Sequence, residues 1–126
     1  MKQHHIIVSD HDYQILKSIC MQVAGSEPLK AELERAVIRK KERMPADVVK
    51  LHSKVEFRDE RSGRVRQVEL VLPGQANIQS GKMSILSPIG TALLGYREGD
   101  VVLWEVPAGK TSLQILKVEP IEKTDA

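Results

Sequence analysis

Aromatic side chains are scarce: Tyr13, Phe57, Tyr96 and Trp104 are all there are, 3% of 126 residues. That excludes an aromatic-walled ligand pocket and a base-stacking surface for single-stranded nucleic acid. It also argues against a prolyl isomerase pocket, which needs several aromatic walls. Cysteine is nearly absent. Cys20 alone closes no internal disulfide, so nothing calls for an oxidising compartment, and a cytoplasmic location is expected. No apolar run approaches the roughly 20 residues of a membrane helix, and the start, Met1-Lys2-Gln3-His4-His5, is followed by only three apolar residues, too few for a signal peptide. No membrane partner is expected. A large charge of either sign is missing too. The net charge is +2, with eight basic and six acidic residues in 1–45 and eleven of each in 46–126. This is not the basic excess of a dedicated nucleic-acid binder, and a protein partner fits it better.

What remains is an ordinary globular composition, 41% hydrophobic and 29% charged. The pattern changes at Arg43-Met44-Pro45-Ala46, and a domain boundary is placed there, giving 1–45 and 46–126. In the first part Ser9 reads as a helix N-cap, with Asp10 and Asp12 where the helix dipole favours negative charge. Tyr13, Leu16, Cys20 and Val23 form the apolar stripe, and Gly25 reads as the left-handed stop, giving a helix over 10–24. Ser26 reads as the cap of a second helix with Pro28 in its first turn. Leu29, Leu33, Ala36 and Val37 are its stripe, Arg39, Lys40, Lys41 and Arg43 its cationic end, and Pro45 its stop. Two helices joined so tightly run antiparallel, so 1–45 is predicted to be a helical hairpin, a short coiled coil. Ile6-Ile7-Val8 reads as a short strand leading in.

From Ser53 the apolar period is two. Strands are predicted at Ser53–Arg58, Arg64–Leu72, Lys82–Leu86, Val101–Val106 and Ser112–Glu119, separated by Gly, Pro and Asp turns. Ser87-Pro88 starts a short helix that Gly95 ends. The fold class is therefore α+β, an antiparallel sheet of about five strands covered by one short helix.

No residue set reads as catalytic: there is no nucleophile elbow, phosphate loop or paired-carboxylate pattern. His4, His5, Asp10, His11 and Asp12 match no metal-ligand spacing, so no metal or other cofactor is assigned. His52 reads as structural or solvated, Cys20 as a small buried hydrophobe, and Trp104 as a core or interface residue. The run Arg35, Arg39, Lys40, Lys41, Arg43 reads first as a solvated face and second as a phosphate contact, which keeps a DNA-binding module as the alternative function. Glu27, at the turn between the two helices, reads either as an acid presented to a cation or as a favourable first-turn residue.

One resemblance covers nearly the whole chain. Ser87-Pro88-Ile89-Gly90-Thr91-Ala92-Leu93-Leu94-Gly95, followed by Glu98-Gly99-Asp100-Val101-Val102, resembles the C-terminal domain of the Gre-type transcription elongation factors. Met44-Pro45-Ala46-Asp47-Val48-Val49, Ser53-Lys54-Val55-Glu56-Phe57 and Trp104-Glu105-Val106-Pro107-Ala108-Gly109 resemble the branch of that family named for regulation of nucleoside diphosphate kinase; Ile7-Val8-Ser9-Asp10 extends the likeness to the front. The resemblance implies an FKBP-like C-terminal domain and a coiled-coil arm. It implies binding to bacterial RNA polymerase at the rim of the secondary channel, with Ser87, Pro88 and Ile89 as the contact and Ser26 and Glu27 as the arm tip. The tip carries one acid, where cleavage factors carry a spaced pair, and Leu86 stands where a polar or acidic residue often precedes Ser-Pro. The expectation is a monomeric, non-enzymatic regulator that competes with Gre-type factors without cleaving RNA.

Overall fold

The computed structural model describes residues 6–106 and 109–120, with backbone alone over 104–106. His4, His5, Pro107, Ala108 and the Trp104 side chain, all read above, lie outside the described residues. The chain forms two compact units, 1–45 and 46–126.

In the first unit β1 (Ile7–Ser9) leads into α1 (Asp10–Gln22), a turn, α2 (Glu27–Glu34) and β2 (Val37–Arg39), followed by a single 3-10 turn at Lys41–Arg43. Ser9 caps α1 as its sequence position requires, its Oγ accepting from Asp12 N at 3.0 Å. The long second helix is not formed. α2 is eight residues, little more than one heptad, and the helical hairpin and coiled coil expected over 1–45 give way to two short helices closed by a strand. The reason is long-range pairing. Val37-Ile38-Arg39 aligns in parallel with Ile7-Val8-Ser9, and β-branched Val37 and Ile38 are better suited to a strand than to a helix end. The Asp10 carboxylate also accepts from Lys41 N at 3.1 Å, fixing the returning chain to the start of α1. Arg35 caps the C-terminus of the shortened α2, while Arg39, Lys40, Lys41 and Arg43 lie beyond it on exposed strand and turn. The predicted α1 stripe is only partly covered: Leu16 is buried, Tyr13 and Cys20 are half-buried, and Val23 is exposed.

In the second unit β3 (Ser53–Asp59), β4 (Val65–Val71), β5 (Lys82–Ser84), β6 (Val101–Val106) and β7 (Gly109–Pro120) form one sheet in the order β5-β4-β3-β7-β6, and α3 spans Pro88–Leu93. The strands expected from alternation are present. One pairing differs: β5 runs parallel to β4, so the sheet is not wholly antiparallel. β3 is central, hydrogen-bonded to β4 on one side and to β7 on the other, with a bulge between Glu56 and Phe57. Val55, Phe57, Leu70, Leu113 and Ile115 are buried on the covered face, together with Ile85, Leu93 and Leu94 from the α3 region. Asp47-Val48-Val49, which precedes the first strand of the sheet, belongs to this core. Val48 and Val49 have no exposure, and the segment exchanges hydrogen bonds with Gly95, Tyr96 and Glu98. Arg97 clamps it by donating twice to the Asp47 carboxylate, at 3.1 and 3.2 Å.

Candidate functional site

The best-built feature of the second unit is the start of α3. Ser87 Oγ accepts from Gly90 N at 3.0 Å and donates to the Ser84 carbonyl at 2.7 Å, so one hydroxyl both caps the helix and ties it to the end of β5. Thr91 Oγ1 adds a bond to the Ile85 carbonyl at 2.8 Å, and Ser84 Oγ accepts from Leu86 N at 3.0 Å. Pro88 occupies the first helical position, where its missing N–H costs nothing. Gly90 is buried against the preceding turn, and a Cβ there would overlap the Ser84 carbonyl oxygen and lie 2.9 Å from Ser87 Oγ. The result is a rigid corner with Pro88 exposed and Ser87 and Ile89 half-exposed. Leu86, just before it, is half-buried. The three residues picked from the sequence are thus contiguous and partly accessible.

The turn of the first unit is built differently from its expectation. Ser26 makes no side-chain cap for α2. It is buried, and its hydroxyl lies 2.8 Å from the Val23 carbonyl and 3.1 Å from the Cys20 carbonyl, donating back to the open end of α1. Glu27 is exposed at the first position of α2. The next acid, Glu32, pairs with Arg35 at 3.1 Å. Cys20, expected to be buried, is half-exposed and lines a groove of about 660 Å³ with Tyr13, Met21 and Leu33 between α1 and α2. Among the described residues no three His, Cys, Asp or Glu side chains converge as metal ligands, and no helix is long and apolar enough to cross a membrane. His52 adopts a left-handed backbone (φ 64°) just before β3, with Nδ1 3.8 Å from the Glu69 carboxylate.

At the opposite end of the sheet, the Asp59 carboxylate accepts from Thr111 Oγ1 at 2.8 Å and from Arg61 N at 2.9 Å. The Thr111 bond first, then backbone bonds from Arg61 and Ser62 and the Arg61 charge, hold its pKa below the usual carboxylate value. A folded pKa below the unfolded one, about 3.9, means the stabilisation is present above that pH and is lost as pH falls through the lower folded value. Thr111→Val should therefore be less stable than the parent at neutral pH, and its melting temperature should fall less steeply as the pH drops below the ordinary carboxylate value. Parallel melting curves against pH for the two proteins would contradict this assignment.

Compared with known proteins, residues 44–120 match the family described as transcription elongation factor, GreA/GreB, C-terminal. The chain belongs to the GreA/GreB family. Across 125 residues it is 38% identical to the regulator of nucleoside diphosphate kinase of Escherichia coli, covering 94% of this chain and 92% of that one. It is also 38% identical over 97 residues to the transcription inhibitor protein Gfh1 of Thermus thermophilus, covering 75% of this chain and 61% of that protein. Among solved structures, the transcription elongation factor GreA/GreB from Nitrosomonas europaea superposes with a TM-score of 0.76 at 34% identity, over 93% of this chain and 99% of that one. The GreA/GreB match includes the whole α3 corner. The fold is thus a mixed α+β Gre-like fold, and the chain is a Gre-like transcription-related factor whose relatives are regulators and transcription factors.

Proposed function

We propose that this protein binds RNA polymerase at the mouth of the secondary channel and regulates transcription there without stimulating RNA cleavage. The second unit, read as an FKBP-like domain, docks through Ser87, Pro88 and Ile89; the first is a short arm; the protein acts as a cytoplasmic monomer. The observation that carries this reading is the α3 corner, a rigid, partly exposed element inside the segment that matches the GreA/GreB family. Rigid presentation lowers the entropy lost on docking.

Absence of cleavage activity rests on the arm. Metal-assisted phosphodiester hydrolysis needs a second cation roughly 3.5–4 Å from the first. Magnesium bound in that way takes one or two carboxylates from the protein. Glu27 is the one acid at the turn, Glu32 is engaged by Arg35, and Lys30 stands one turn into α2, where it opposes a cation. At 1.5 Å per residue, α1 is about 20 Å long and α2 about 12 Å, shorter than the hairpin expected from the sequence.

Pro88→Ala and Ile89→Asp should each weaken capture by core RNA polymerase about tenfold while leaving the urea midpoint close to the parent's. Folded variants that bind like the parent would sink the contact assignment. On a backtracked elongation complex the parent should release no short 3′ RNA and should suppress cleavage stimulated by an added Gre factor. Release of RNA that disappears in Glu27→Ala would contradict the proposal. The exposed basic residues Arg35, Arg39, Lys40, Lys41 and Arg43 favour DNA contact as the second reading. A steep loss of duplex binding with salt, in the absence of polymerase, is its signature.

A further inference from the structure

Residues 70–96 contain one charged side chain, Lys82, in 27 positions, although 29% of the chain is charged. This stretch supplies the end of β4, the edge strand β5 and all of α3. Part of it is core, and burial explains the missing charge there. Burial does not explain Gly74–Ser80, which is exposed throughout and wholly uncharged. Loss of charge from exposed positions is the compositional mark of an interface centre.

In the middle of that segment stands Ile78, 91% exposed, more than any other large apolar side chain among the described residues. Its backbone is not loose. Asn77 N and O exchange bonds with Lys82 O and N, both at 2.9 Å. The Asn77 carboxamide oxygen accepts from Gln79 N at 3.1 Å and from Ser80 N at 3.3 Å. Gly81 closes the turn at φ 75°, a conformation costly for a residue with a Cβ, and its carbonyl accepts from Glu69 N on β4 at 2.8 Å. A turn this heavily tied, displaying one bare isoleucine inside a rim of Gln75, Gln79 and Ser80, has the anatomy of an interface anchor: an apolar centre, a neutral polar ring and little entropy to lose.

We infer that the Asn77–Gly81 turn is a second docking element, and that Ile78 inserts into an uncharged apolar cleft on the same partner that receives the α3 corner. This rests on the reading of that partner as RNA polymerase. The three-residue strand β5 joins the two elements: the turn precedes it and Ser87 is bonded to its last residue. One partner face can therefore meet both along the open edge of the sheet, and over Gly74–Ser80 neutral surface meets neutral surface; the half-exposed Lys82 on β5 is the one charge between the two elements.

The test measures affinity for core RNA polymerase by fluorescence anisotropy of the labelled full chain. Parent, Ile78→Ala, Ile78→Asp, Asn77→Ala and the control Val65→Asp are compared; Val65 is also exposed but lies at the far end of β4. Ile78 is so exposed that its replacement should leave the urea midpoint unchanged. Ile78→Ala should bind about tenfold more weakly and Ile78→Asp more weakly still, with Asn77→Ala between parent and Ile78→Ala and Val65→Asp like the parent. If the parent binds and both Ile78 variants bind equally well, the turn is no docking element and the α3 reading stands. Equal losses in Ile78→Asp and Val65→Asp likewise overturn the inference. A parent that does not bind polymerase overturns both.

Discussion

Gly90→Ala should destabilise the second unit by about 3 kcal/mol, the upper end of ordinary overpacking costs. The added methyl has nowhere to go. It would overlap the Ser84 carbonyl oxygen, sit 2.9 Å from Ser87 Oγ and 3.2 Å from Ile85 Cα, and two of these three are backbone. Alanine's better helix propensity returns only about 1 kcal/mol. Relief requires the α3 corner to lift away from β5, which breaks the Ser87 bonds to Ser84 and Gly90. With an m-value near 1 kcal/mol/M, the urea midpoint should drop by about 3 M. Gly74→Ala is the matched control: nothing lies within 4 Å of its Cβ position, and about 0.4–1 kcal/mol of stabilisation is expected from the less flexible unfolded chain. A Gly90→Ala midpoint within about 0.5 M of the parent would refute the packing argument.

Residues 46–126 should fold without the first unit, and residues 1–45 should not fold without the second. Among the described residues fifteen apolar side chains of the second unit are buried, against five in the first, Ile6, Val8, Leu16, Leu29 and Leu33. The helices of the first unit, 13 and eight residues long, are at or below the roughly 12–15 residues at which isolated helices become marginal in water. Its strands are three residues each and form a lone pair, too little for independent stability. Far-UV circular dichroism through a urea titration should show a cooperative transition for 46–126 and a weak, featureless slope for 1–45. A sigmoidal unfolding curve for isolated 1–45 would refute this division.

The sheet was legible because its signals are local: two-residue alternation at Val55-Phe57 and Val68-Leu70, and turn chemistry at Asp59–Gly63 and Gly99-Asp100. The start of α3 was legible for the same reason, since Ser87 and Pro88 act within its first turn; the close packing of Gly90 against Ser84 was not, because it depends on a neighbour across the corner. The error in the first unit has the opposite origin. Ala36 and Val37 continue the spacing of Leu29 and Leu33, and the cations after them imitate a helix end. What decides the backbone there is a partner 30 residues away, Ile7–Ser9, and no local pattern reports it. The adjacent β-branched Val37 and Ile38 were the available sign. Ser26 was misread in a related way: a serine before Glu-Pro satisfies the cap preference, but its hydroxyl serves the helix it follows. Ile78 was not legible at all, because a lone isoleucine among polar residues has no periodicity to betray exposure.

The position of β3 at the centre of the sheet has a consequence for how the chain reaches this state. Its β4 edge is completed by a neighbour that follows within a few residues, whereas its other edge waits for β7, which aligns Leu113 with Asp59 and Pro120 with Ser53. Contacts so distant in sequence raise contact order and slow folding. At a synthesis rate of about 5–20 residues per second, the β3–β4 hairpin is made several seconds before the strand that seals it. During that interval the unpaired backbone edge of β3, with Val55 and Phe57 uncovered on its apolar face, is open to other chains, the setting in which nascent sheets aggregate or recruit chaperones. A stall or truncation before residue 113 would leave the hairpin permanently half-paired, so quality control during synthesis should be most sensitive to lesions in the last strand.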